Sequence, residues 1–318
     1  MPAAANSAFV AKRLALLAFG LTSGILTLEL FLQWWFPKST FAMGRPTNFS
    51  AGSVRYFQTD PKVGYLPIPG TDFYDRNGCQ PNDYRVDNRQ GRQRVLFVGD
   101  SVTRRGGLIQ ALRSLYGESG FEYWNAGVEG FNTAQELALY RRDNHRIEPD
   151  LVVLTFHNND YQGSPAAILE QDGSLTYTTS GGKRKVSPWL MRNSYLYRLS
   201  LGLMSGSGDV RANAPQVRQQ LADFRDMLKQ QGVEFRVILF PILRAESDWN
   251  PTQRWSREEA LRTFQELQLR YYDVLPALAS QLNQAENLQE RAGDDWHPNA
   301  RAAELCAREL KRQGLLDL

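Results

Sequence analysis

The chain opens on a block of apolar residues that no later segment matches. Leu14 to Phe36 is a mostly apolar run of 23 residues, and a helix of about 20 such residues crosses a hydrocarbon core. Lys12 and Arg13 precede the run, with no acidic residue before them. Positive charge on that side predicts a cytoplasmic N-terminus. Trp34, Trp35 and Phe36 close the run as an interfacial aromatic belt, and Pro37 ends the helix. The run is longer than the roughly 7–15 apolar residues of a cleavable signal, and a small-x-small site is weak at Thr40-Phe41-Ala42. One uncleaved anchor is therefore expected: 1–13 cytoplasmic, 14–36 transmembrane, and the rest periplasmic or extracellular. Glu29 and Gln33 share a helical face within the run. They fit either a helix–helix contact in the membrane or, as read here, a place near the interface where their cost is small.

Past the anchor the pattern changes twice. Residues 37–92 are rich in Pro, Gly, Asn and Asp and read as a linker and a loop-rich cap. From 93 onward, short apolar runs alternate with helical periodicity. Gln93–Gly99, Phe121–Asn125, Asp150–Phe156 and Val233–Phe240 read as strands, the third buried on both faces through Leu151, Val152, Val153 and Leu154. Thr133–Ile147, Val217–Gln231, Ser256–Leu269 and Pro298–Gly314 read as helices, with Gly232 as a C-cap and Pro298 in a first turn. The rhythm breaks at about 161–212, a Gly/Ser/Thr-rich stretch followed by an aromatic-rich segment from Trp189 to Met204, which reads as an insertion or lid. Strand–helix alternation predicts an α/β domain over 93–318, a three-layer α/β/α sandwich around a mostly parallel sheet.

Composition narrows function by exclusion. The net charge is +3 and spread along the chain, which does not point to nucleic acid. Cys79 and Cys306 are the only cysteines, and no CxxC pair supports a zinc or redox site. They read as free thiols, with pairing left open for an extracytoplasmic domain.

Four polar blocks sit where a parallel sheet binds ligands, outside the carboxyl ends of its strands. They are Gly99-Asp100-Ser101, Asn125-Ala126-Gly127-Val128-Glu129-Gly130, His157-Asn158-Asn159-Asp160 and Asp294-Asp295-Trp296-His297-Pro298-Asn299. A serine nucleophile needs a base, and the base needs a third group to fix its tautomer. Of the three histidines, His145 lies among charged residues, while His157 and His297 both stand at the expected edge. Asp294, three residues before His297, can reach its ring across a tight turn. Candidate oxyanion donors are the N–H groups of Ser101 and Gly130 and the side-chain amide of Asn159.

These blocks, in this order and on these elements, resemble the SGNH/GDSL hydrolases over about residues 93–315. The resemblance implies a flavodoxin-like fold and an esterase without metal or cofactor. It implies Ser101 as nucleophile, His297 as base, Asp294 orienting it, and Ser101, Gly130 and Asn159 as the oxyanion hole. Where relatives carry a glycine two residues before the asparagine, this chain has His157, which either faces substrate or packs beneath it. Arg104 and Arg105 follow the nucleophile and fit either an anionic substrate or solvent. Asp100, Arg104 and His157 are the expected substrate contacts. The expected activity is hydrolysis of O-acyl (acetyl) esters on envelope or extracellular glycans or lipids. The alternatives are an O-acetyltransferase acting on an envelope polysaccharide with the same triad, which a single span disfavours, and a binding module with a decayed site.

Overall fold

A computed structural model describes residues 3–35, 56–60, 62–163, 167–169, 175–179, 182–197, 199–200, 210–284 and 287–318. Of the expected linker and cap over 37–92, residues 37–55 and 61 lie outside the described residues. The chain divides into two compact units, Met1–Phe49 with Pro165–Ser207, and Ser50–Ser164 with Gly208–Leu318.

In the first unit, α1 (Ala3–Trp35) is one continuous helix. Its stretch Phe9–Trp35 is long and apolar enough to cross a membrane, and its most apolar window is unburied. From the second part of the same unit come a three-stranded antiparallel sheet, Ala167–Leu169, Leu175–Thr179 and Gly182–Val186, and a short helix Pro188–Asn193 capped by the Ser187 hydroxyl.

The second unit begins with an antiparallel hairpin, β1 (Phe57–Asp60) and β2 (Gly64–Pro67). The main run follows: β3 (Gln93–Gly99), α2 (Ser101–Arg104), α3 (Gly107–Tyr116), β4 (Phe121–Asn125), α4 (Thr133–Arg142) and β5 (Leu151–Phe156). After the excursion come α5 (Ala214–Gln230), β6 (Glu234–Leu239), α6 (Pro251–Glu266), β7 (Arg270–Asp273), α7 (Leu275–Asn283) and α8 (Ala300–Arg312). Strands β4-β3-β5-β6-β7 form one sheet in that order, every neighbour parallel. The chain is an α/β protein of the three-layer kind. The pleat sends Val95, Phe97, Leu151 and Val153 to a cluster with α3, α7 and α8. It sends Leu96, Val98, Val152 and Leu154 to another with α4, α5 and α6.

Local chemistry explains where boundaries depart from the sequence reading. α4 stops at Arg142 because Asp143 leaves helical backbone, and Asn144–Ile147 continues as a 3₁₀ turn. α6 starts at Pro251, earlier than read, because Asn250 and Gln253 form a capping box before a proline at the first turn. α3, β7 and α7 were not read from the sequence; β7 is only four residues long and carries charge at both ends. The cap is fastened to the sheet by Arg94, which pairs with buried Glu122 at 3.0 Å and donates to the Val86 and Ile147 carbonyls. Cys79 and Cys306 are buried free thiols in opposite hydrophobic clusters, so the sheet lies between them. Burial raises the pKa of both.

In chain order the five strands run 2-1-3-4-5, and the order reverses between β3 and β5, where such sheets hold ligands.

Candidate active site

Ser101 opens α2 at the carboxyl end of β3. Asp100 caps that turn, its Oδ1 accepting from Val102 N at 2.8 Å. The turn can pack closely only because residue 127 is glycine: a Cβ there would lie 2.3 Å from the Arg104 nitrogen. Asn125 ties the β4 loop to the same turn, donating to the Thr103 carbonyl at 2.9 Å and accepting from Gly127 N at 2.9 Å.

His297 reaches the serine from the turn before α8. Its Nε2 is 2.8 Å from Ser101 Oγ, and its Nδ1 is 2.8 and 2.9 Å from the two carboxylate oxygens of Asp294. Burial pushes the Asp294 carboxyl up, but the hydrogen bond and charge of His297 and the N–H groups of Trp296 and His297 outweigh it and leave the group below the usual range. Asp295 points elsewhere. It accepts from Gln289 Nε2 at 2.7 Å and pairs with Arg244, while its carbonyl accepts from Leu243 N. One acid of the pair therefore meets the histidine and the other braces the turn.

Gly130, at the β4 loop, has φ +70°, backbone that disfavours any side chain. Tyr65 from β2 supports this loop, its hydroxyl donating to the Glu129 carbonyl at 2.8 Å. Asn159 lies in the 3₁₀ turn after β5 and donates from Nδ2 to Asp100 Oδ2 at 2.7 Å and to the Phe131 carbonyl at 3.2 Å. Burial raises the Asp100 pKa to about 6, against the pull of Val102 N–H, the Asn159 amide and the His297 charge.

Hydrogen bonds thus join Ser101, His297 and Asp294 in one set and Asp100 and Asn159 in another, and the two sets adjoin where Asp100 precedes Ser101 in the chain. The three expected substrate contacts are placed differently. Asp100 is buried and engaged by Val102 and Asn159. Arg104 lies over the rings of Phe73 and Tyr74, each at 5.5 Å. Its neighbour Arg105 pairs with Glu290. His157 is fully buried, packed against Trp296 at 4.8 Å, so of its two readings the structure shows the packed one. Burial lowers its pKa to about 4, with the Pro241 backbone opposing and the His297 charge adding to the fall.

Sequence reasoning missed Tyr65, Asp295 as a brace, and Trp296 as a lid on His157. Asn125 had a signal, a strand-end Asn-Ala-Gly that forms a local side-chain turn. Tyr65 had none, lying 64 residues from its partner.

The GDSL-like lipase/acylhydrolase family model matches residues 95–310, which contain every residue of this cluster. A search of curated proteins finds no match. An acetylxylan esterase from Geobacillus stearothermophilus is 16% identical over 70% of this chain and 93% of its own, with a TM-score of 0.47. A GDSL-like lipase from Bacteroides thetaiotaomicron is 14% identical over 71% and 89%, with a TM-score of 0.45. An α/β hydrolase from the metagenome of Lake Arreo, Spain, is 15% identical over 70% and 96%, with a TM-score of 0.48. With its matched model spanning more than half of its length, the chain belongs to the GDSL-like lipase/acylhydrolase family and is an ester hydrolase.

Proposed function

We propose that the chain is a membrane-anchored serine esterase that cleaves O-acyl esters through Ser101, His297 and Asp294. The observation that carries this reading is the pair of contacts on one imidazole, Nε2 to Ser101 Oγ and Nδ1 to Asp294. A carboxylate on Nδ1 holds the ring proton there and leaves the Nε2 lone pair to take the serine proton. Ser101 Oγ then attacks the acyl carbon, and the proton passes from Nε2 to the departing alcohol. Water, activated by the same nitrogen, hydrolyses the acyl-enzyme and regenerates the serine.

The negative charge that develops on the carbonyl oxygen is met by the N–H groups of Ser101 and Gly130 and by Asn159 Nδ2. The amide of Asn159 has two hydrogens. Its shorter bond, to Asp100, orients it; the longer one, to the Phe131 carbonyl, is the one the oxyanion displaces. Donors aimed in advance at that oxygen stabilise the transition state without reorganisation.

The substrate is an acyl (acetyl) ester of an envelope or extracellular glycan or lipid. Lys12 and Arg13 before the apolar helix support an N-terminus in the cytoplasm and the hydrolase unit across the membrane. Turnover of short-chain aryl esters and acetylated polysaccharides by the full chain, with Ser101→Ala beside it, tests the chemistry. A variant that keeps most of its turnover overturns the serine mechanism.

A further inference from the structure

One turn of the anchor helix is unlike the rest. From Phe9 to Trp35 its residues are exposed, except that Ser23 and Glu29 are half-buried and Leu32 is buried. Glu29 does not hold its carboxylate out to water. Its Oε1 accepts from the backbone N–H of Tyr195 at 2.7 Å and from Gln33 Nε2 at 2.7 Å. Its Oε2 accepts from the Ser194 hydroxyl and from the Leu196 N–H, each at 2.9 Å. Gln33 completes the contact by donating to the Asn193 carbonyl at 3.1 Å. Asn193 ends the helix 188–193, and Ser194 is extended backbone that starts a new helical turn. The carboxylate thus caps a helix start that lies 165 residues or more away in sequence, and the positive end of a helix dipole favours negative charge there.

Depth makes this contact informative. Glu29 is six residues before Trp35, about 9 Å along the axis at 1.5 Å per residue. A carboxylate that far inside an aromatic belt is costly unless its lone pairs are filled. Here four donors fill them, three from the 194–196 turn. The turn that supplies those donors must lie at the depth of the carboxylate. Its neighbours have the composition of an interfacial segment: Trp189 is 68% exposed, as in the same unit are Trp34 at 76% and Trp35 at 60%, and Lys183-Arg184-Lys185 precedes it in sequence.

We propose that residues 187–197 are a membrane-interfacial element, clamped to the anchor by Glu29 and Gln33, and that the surface they present binds the lipid bilayer where the anchor leaves it. This rests on the anchor reading of α1 and is independent of the triad.

The full chain, reconstituted in vesicles of phosphatidylethanolamine and phosphatidylglycerol, tests it through single thiols carrying a nitrobenzoxadiazole dye. Cys79 and Cys306 are buried, and unsubstituted protein serves as the labelling control. Dye at Trp189→Cys should be quenched by lipid bearing a nitroxide near its headgroup and shielded from aqueous dithionite, as at Trp35→Cys. Dye at Leu21→Cys should be shielded and quenched from deep in the chain region, and dye at Arg308→Cys on the hydrolase unit should be reduced at once. If Trp189→Cys is reduced as fast as Arg308→Cys while Leu21→Cys stays shielded, the proposal is wrong and the anchor stands. If Leu21→Cys is also reduced, the anchor reading fails and the proposal fails with it. Adding Glu29→Leu should speed reduction at residue 189 by about tenfold, the equivalent of a lost helix cap, with aryl-ester turnover unchanged. An unchanged rate at residue 189 overturns the clamp.

Discussion

Two turns at the same edge of the sheet each carry a histidine with an acid three residues away, and they have opposite characters. In the turn before α8, Asp294 reaches the ring of His297 and leaves its far nitrogen on Ser101. After β5, Asp160 lies three residues beyond His157 but takes the backbone N–H of His157 at 2.7 Å and the Thr133 hydroxyl at 2.7 Å. Neither ring nitrogen of His157 completes a hydrogen bond with good geometry. Burial raises the pKa of Asp160 and of Glu136 beside it. A base is made by access and by which atom its acid meets. An acid at the right spacing is not enough.

The widest gap between the two turns lies in turnover. His297→Ala and Ser101→Ala should each lower kcat by at least about 10⁴-fold, and the double variant should be little worse, because triad members act as a unit. His157→Ala should retain most of its kcat. Steady-state kinetics on one aryl ester decides it, and a dead His157→Ala beside an active His297→Ala would reverse the assignment.

A second contrast lies within the β5 turn. Asn159→Ala should lower kcat by about 10²–10³-fold with little change in KM, the cost of one oxyanion donor. Asn158→Ala should be much milder. The opposite ranking would show that the wrong amide faces the substrate.

The third test is acid stability. The folded pKa of His157 is about 4, below the 6.5 of an unperturbed histidine. A histidine depressed in this way contributes stability that is complete above pH 6.5 and is lost as pH falls towards 4. The loss is about 3 kcal/mol by proton linkage. Urea midpoints at pH 7 and pH 4 should therefore fall less for His157→Leu than for the wild type. Equal falls would mean that His157 is not held neutral.

The smallest effect separates the two adjacent acids of the α8 turn. Asp294→Ala removes the carboxylate in contact with His297 Nδ1, whereas Asp295→Ala removes a brace to Arg244 and Gln289. Asp295→Ala should cost less than about tenfold in kcat, since it leaves the first group in place. A loss that matches Asp294→Ala would show that the brace sets the position of the imidazole.

Much of this site was legible because its pieces are local. The Asp294-to-His297 spacing is a single turn, and the three strand-end blocks follow short strands that are buried almost throughout. The boundaries that slipped did so where a cap outweighed periodicity, as at Asn250, or where a four-residue strand such as β7 is too short to show a period. Residues that act at a distance were not legible. Tyr65 supports the Gly130 loop across 64 residues, and Glu29 meets Ser194 across 165.

By itself the sequence determined the apolar N-terminal helix, four of the five strands of the parallel sheet and the four polar blocks, because backbone preference and hydrophobic patterning act over a few residues. Only the tertiary structure decided that Arg104 stacks on the cap aromatics and that His157 is buried beneath Trp296. It alone showed that Asp100 holds Asn159 and that Glu29 caps a distant turn. Each of those depends on closing a long loop, and the free energy that closes it comes from the packed core as a whole, which no short stretch of residues encodes.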